Sequence, residues 1–356
     1  MREFLVKLGV RLLLFLAVLL ALFYIPLPHH YYSSLIDNSA FNKVPWVQNQ
    51  ISKLKPDSDA IIFMGPSVFE SGIDDSLLSA LTGKQVINYG ISQTYYDMDE
   101  LFIDKLLLVT HPKRIIFCSL YAEPRSAHPV FSLVATPSQI LSTFTECNFS
   151  VFDNILNRTA WNSNYITQHV KLRTLLNTPF NKQYGQNAQT EIDTNKIKNL
   201  LNNSIPEFTK FIELTGNENL VFENVAPLKR LYRLAYYYKL KYTLYKNIDY
   251  QLRALKRIQT KLAAQNIQLD IIYFYTLEEL FLNKSQVFID RYKKSFSKYD
   301  IDIKNLHILP DTALKDFRNW SDCLHLNKRG ATEYSRFLYD NLLKNGDGSS
   351  PGSKLQ

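Results

Sequence analysis

A chain of 356 residues that is 46% hydrophobic has material for one large domain or two small ones. Its three cysteines, Cys118, Cys147 and Cys323, make neither a disulfide framework nor a zinc cluster. The net charge of +8 favours an anionic partner, and without a helix-turn-helix, zinc-finger or RNP motif it does not point to nucleic acid.

The first element is an uncharged apolar run, Leu12 to Leu27, which Leu8 to Val10 extend across Arg11. Together they reach the roughly 20 residues that cross a bilayer. No small-x-small cleavage site follows, so the run reads as an anchor (residues 1–28) rather than a removable signal peptide. Arg2, Lys7 and Arg11 precede it, and no Lys or Arg follows until Lys43. That asymmetry places the N-terminus in the cytoplasm and the main domain outside the cytoplasmic (inner) membrane, on the periplasmic side.

Residues 29–58 read as a polar connector. Ala60 to Met64 is a sharp strand signal, followed at once by Gly65-Pro66-Ser67. A short helix starts near Asp74, which can cap it, and stops at Gly83. A second strand, Gln85 to Gly90, precedes a helix from about Asp97 to Val109, and Arg114 to Leu120 makes a third strand. This alternation argues for a parallel sheet with crossover helices. Residues 123–265 read as a helical insertion that packs over one end of the sheet. It ends in a helix, Leu228 to Ala264, where ten Lys/Arg are interleaved with tyrosines. Leu269 to Tyr275 is the next strand, with a helix after it to about Ser297. Asn305 to Leu309 is the last strand, and Gly330 to Leu343 the closing helix. The main domain is thus 59–345, and the Gly/Ser-rich tail 346–356 reads as disordered.

Three stretches carry chemistry because of where they fall. Ser67 sits at the carboxyl end of the first strand, where parallel sheets present ligand-binding groups. Gly90, after the second strand in Asn88-Tyr89-Gly90, lets an oxygen approach the backbone, so the Ser67 and Gly90 amides could hold an oxyanion. Asp322 lies three residues before His325 in a loop, where a carboxylate can orient the imidazole that deprotonates the serine. Cys323, between an acid and Leu324, is the weaker nucleophile candidate.

In order and context these stretches resemble the SGNH (GDSL-like) hydrolase superfamily, over residues 60 to 122 and 266 to 343. Within it the chain is similar to the membrane-anchored branch: the D-alanyl transfer protein of teichoic-acid modification and the proteins that O-acetylate alginate-type polysaccharides. The resemblance implies a three-layer α/β sandwich with a central parallel sheet, SGNH/flavodoxin-like, behind one transmembrane helix. It implies a triad of Ser67, Asp322 and His325, an oxyanion hole of Ser67 and Gly90, and neither metal nor cofactor. The implied reaction is O-acyl transfer through an acyl-serine. Its acceptor is a cell-envelope polysaccharide, and its partner a multi-span membrane protein that donates the acyl group. The third block of the superfamily, G-x-N-D, is replaced by Ser119-Leu120-Tyr121-Ala122-Glu123-Pro124, which supplies no asparagine donor. An esterase using the same triad, and a non-catalytic envelope or glycan-binding protein, remain as alternatives.

Overall fold

The computed structural model describes residues 2–26, 39–56, 58–92, 94–119, 130–143, 150–177, 249–282, 285–309, 312–322 and 324–344. They fall into two compact units. Half of the Leu228–Ala264 helix, Cys147, Cys323 and the tail lie outside the described residues.

The first unit contains α1 (Arg2–Tyr24) and, from the expected insertion, α6 (Phe131–Val134), α7 (Pro137–Ser142) and α8 (Ser150–Asn177). At 1.5 Å per residue, the 23 residues of α1 span about 34 Å, which is long enough for a bilayer. Its apolar side chains from Phe4 to Leu16 stand exposed. The helix starts ten residues before the apolar run, because the charged residues Glu3, Lys7 and Arg11 form helix as well as their neighbours do. The insertion is helical where it is described, and α8 alone runs for 28 residues. The connector is not featureless either, since α2 (Ser39–Lys53) lies inside it.

The second unit is built on a sheet of β1 (Ile61–Met64), β2 (Val86–Asn88), β3 (Arg114–Cys118), β4 (Gln268–Ile272) and β5 (Leu306–His307). Every pairing is parallel, in the order β2-β1-β3-β4-β5, with Ile62 opposite Ile87 and Phe63 opposite Ile116. β1 and β3 are buried along their whole length, as strands covered on both faces must be. The order reverses at β1, which opens a crevice outside the carboxyl ends of β1 and β3.

Helices follow the strands with their apolar stripes inward. α4 (Asp75–Thr82) is capped by Asp74, whose carboxylate accepts from Leu77 N–H at 3.0 Å. α5 (Tyr96–Leu107) packs on α9 (Asp249–Ala264), which turns Leu252, Leu255, Ile258 and Leu262 into the core. Where one helix was expected after β4 there are two, α10 (Leu277–Leu282) and α11 (Gln286–Lys298). The closing helix is α12 (Lys328–Leu338), continued by a π turn to Leu343. A further short helix, α3 (Ser67–Gly72), lies between β1 and Asp74, where sequence patterning named no element. α12 packs against both α3 and α4.

Two groups of buried charge have opposite effects. Asp270 on β4 bonds Arg114 of β3 and His307 of β5, tying three strands together. Burial works to raise its pKa, but its bonds to His307 and Arg114 prevail and hold it below the usual carboxylate range. Asp99 of α5 is only 2% exposed, and one of its carboxylate oxygens has no hydrogen-bond partner among the described residues. Burial, reinforced by Asp97, pushes its pKa well above the ordinary value. Burial also pushes Asp97 up to about 6, against the opposing bonds from Gln251 and the Met98 amide. An unfolded Asp titrates near 3.9. As pH rises past that value the unfolded chain releases protons that native Asp97 and Asp99 still hold, so their contribution to stability declines toward pH 6 and above. Denaturant unfolding between pH 4 and 7 is expected to show this decline, and Asp99→Asn to flatten it while stabilising the protein at pH 7.

Candidate active site

The site begins where β1 ends. Gly65 takes φ +151°, and a Cβ there would come within 2.8 Å of the Cβ of Cys118 on β3. Only glycine lets the chain turn out of β1 this close to its neighbour. Its carbonyl accepts from Ile91 N–H at 2.8 Å and from the Thr94 hydroxyl at 3.1 Å, binding the exit of β1 to the loop after β2. The next turn starts α3, with Ser67 as its first residue. The Ser67 hydroxyl is half-buried, at the carboxyl edge of the sheet. Its N–H, in the first turn of the helix, has no acceptor within the helix.

Asn88 and Gly90 hold this turn from below. The Asn88 Nδ2 donates to the carbonyls of Phe69 at 2.8 Å and Ile73 at 3.1 Å, while its Oδ1 accepts from Gly90 N–H at 2.9 Å. The Gly90 N–H, expected as an oxyanion donor, here donates to the Asn88 side chain. The reason for glycine is also different. A Cβ at Gly90 would lie 2.6 Å from the Glu70 backbone nitrogen, so the residue is small because α3 passes over it.

The histidine arrives on a loop closed by an antiparallel bridge between Trp320 and Leu326. Ser321 N–H donates to the His325 carbonyl at 2.9 Å, which brings these two residues together. Inside it, Asp322 Oδ1 accepts from the amides of Leu324 (2.7 Å) and His325 (2.8 Å). This local pattern is one that aspartate favours in turns. The other oxygen, Oδ2, is 2.8 Å from His325 Nδ1, and His325 Nε2 is 2.8 Å from Ser67 Oγ.

A carboxylate only accepts, so Nδ1 carries the proton that it receives, and Nε2 is left to accept from the Ser67 hydroxyl. Partial burial works to raise the Asp322 pKa. The hydrogen bond and charge of His325, with the two amides, outweigh it and hold the carboxyl below its ordinary range. His325 keeps 29% of its side-chain surface and Asp322 48%, so a substrate has access.

Two features that hold the loop were not foreseen. Phe274, just past β4, meets the rings of Phe69 on α3, Trp320 beside the loop and Tyr334 on α12 edge to face, with centroids 5.4–6.4 Å apart. Asn327 caps α12 by accepting from Gly330 N–H at 3.0 Å, and its Nδ2 donates to the Arg318 carbonyl at 2.7 Å. An Asn three residues before a Gly at a helix start was a readable capping signal. Phe274 had none, because nothing local marks which of many aromatics will sit between two distant segments.

Ser67, Asp322 and His325 are thus brought into one hydrogen-bonded line, whereas Gly90 is tied to Asn88. No protein-family model matches the chain, and no curated protein matches it.

Gly330 sets the distance between α12 and the loop, since a Cβ there would fall 2.0 Å from the Asn319 carbonyl oxygen. Gly330→Ala is expected to cost about 1–3 kcal/mol through overpacking. A lowered thermal midpoint for the full-length protein would show it, and unchanged stability would mean that this approach is looser than it stands here.

Proposed function

We propose that the chain is a membrane-anchored serine acyltransferase of the SGNH type, acting on hydroxyl groups of a cell-envelope polysaccharide. The observation that carries the reading is the unbroken line from Asp322 through His325 to Ser67, with both links at 2.8 Å. The strand order 2-1-3-4-5, which doubly wound flavodoxin-like sheets share, supports it, as does the position of Ser67 at the point where that order reverses. In the same reading, helices on both faces complete a three-layer sandwich.

The chemistry runs in two halves. His325 Nε2 takes the Ser67 proton as Oγ attacks the acyl carbonyl, and the imidazolium is stabilised by ionised Asp322. The Ser67 N–H faces the oxygen on which charge develops. Gly90 could add a second donor only by leaving Asn88. Collapse of the tetrahedral intermediate expels the donor's leaving group, which takes the proton from His325, and leaves an acyl-serine. An acceptor hydroxyl then gives its proton to His325 Nε2 and attacks the ester. The new ester forms, and Oγ of Ser67 recovers the proton. General-base help of this kind accounts for about 100- to 10,000-fold in rate. Because Asp322 is held below its ordinary range, it stays ionised through neutral pH.

In this reading α1 is a bilayer span with its N-terminus cytoplasmic, and the second unit faces the envelope. A multi-span membrane protein supplies the acyl group from the other side of the bilayer.

A fluorophosphonate probe applied to the detergent-solubilised full chain tests the site. The parent is expected to be labelled and Ser67→Ala not, with His325→Ala slowed by about 100-fold or more. Labelling that survives Ser67→Ala, or a parent that never reacts, would remove the catalytic reading. Acyl-serine turnover to water alone, with polysaccharide present, would make the protein an esterase instead.

A further inference from the structure

The C-terminal end of α1 is held by two polar side chains that the proposed chemistry does not use. Arg158 of α8, 4% exposed, donates from Nε to the Phe23 carbonyl at 2.8 Å and from Nη2 to that of Ile25 at 3.2 Å. Its Nη1 reaches the carbonyls of Ala135 at 2.7 Å and Ser132 at 3.2 Å. Asn162, fully buried, donates from Nδ2 to the carbonyls of Leu22 and Ile25, the latter at 3.1 Å. The last carbonyls of a helix have no partner inside it, and near lipid there is little water to replace one. The two side chains satisfy these groups, and the guanidinium charge suits the negative end of the helix dipole.

This clamp fixes the level of α8. If α1 crosses the bilayer, Leu22 to Ile25 lie where it leaves the hydrocarbon, and Arg158 and Asn162 lie within a side chain's reach of them. The headgroup layer adds about 5–7 Å on each side of the hydrocarbon core. Leu156 is two residues from Arg158, about 3 Å along the helix axis. On the face of α8 turned away from the clamp stand Phe152 (65% exposed), Leu156 (61%), Ala160 and Ser163, at helical spacing. From Ser150 to Thr167 the only charged residues are Asp153 and Arg158, and Arg158 is buried. Exposed Phe152 and Leu156, at that depth and opposite the polar side chains of Arg158 and Asn162, match the apolar face of a helix lying in an interface.

We propose that the Phe152–Leu156 face of α8 is seated in the headgroup–acyl boundary of the leaflet from which α1 emerges. Its partner is then the phospholipid bilayer itself, and α8 acts as a second, in-plane contact beside the span. The inference rests on reading α1 as a span, and it is independent of the Ser67 chemistry.

The test uses the full chain in phosphatidylcholine–phosphatidylglycerol vesicles. Cys118, Cys147 and Cys323 are replaced by alanine, and a nitroxide is attached at Phe152→Cys, Leu156→Cys or Leu14→Cys. Power-saturation spectra then compare collision with oxygen, which concentrates in lipid, and with a water-soluble nickel chelate. The ratio of oxygen to nickel collisions is expected to be severalfold above that of free label in buffer at 152 and 156, and higher still at 14. A lipid-like ratio at 14 with water-like ratios at 152 and 156 would overturn the inference and leave the span intact. A water-like ratio at 14 would overturn both. Fluorophosphonate labelling of the same vesicles reports separately on Ser67.

Discussion

Phe274 is the contact on which the active-site geometry depends. Its ring touches Phe69 on the helix that carries Ser67, Trp320 beside the loop that carries His325, and Tyr334 on the helix that closes the unit. Gly72 on α3 faces the same ring, and a Cβ there would meet it at 3.4 Å. Each aromatic pair is worth about 0.5–1.5 kcal/mol beyond the area it buries. A half-exposed hydrogen bond contributes about 1 kcal/mol, too little to order two segments 258 residues apart. The bond between His325 and Ser67 is therefore the product of that packing rather than its cause.

Polar side chains do the finer positioning. Asn88 uses both ends of its amide at once, two backbone carbonyls on one side and the Gly90 N–H on the other, so that the end of β2 and the turn after α3 move as one body. Asp322 does the same for its own loop, spending one oxygen on backbone amides and the other on the imidazole. A carboxylate with two local amides in place loses little further freedom when it orients the ring. The tautomer with its proton on Nδ1 is thereby favoured.

The first unit follows a different rule. Apolar side chains on α1 need no partner in lipid, but its terminal carbonyls do, and Arg158 and Asn162 supply donors to three of them. In this way α8 is fastened to the end of α1, where the helix leaves its own carbonyls without partners.

The two levels of description divide along a physical line. Strand and helix identity came from local pattern: Ile61–Met64 and Arg114–Cys118 are apolar runs of strand length, and Asp74 and Gly83 punctuate α4 as capping chemistry requires. The members of the Asp322–His325–Ser67 line were also legible, because serine after a strand and an acid three residues before a histidine are short-range patterns. Three things were not legible. Ser67 begins a helix because that turn packs under α12, and a six-residue segment has too little periodicity to announce it. The close passage of α3 over Gly90 is the second, since only the position of a neighbouring backbone reveals it. The meeting of Phe69, Phe274, Trp320 and Tyr334 depends on contacts across more than 200 residues of chain. Local propensity carries no information about such contacts, so burial of the whole chain decides them.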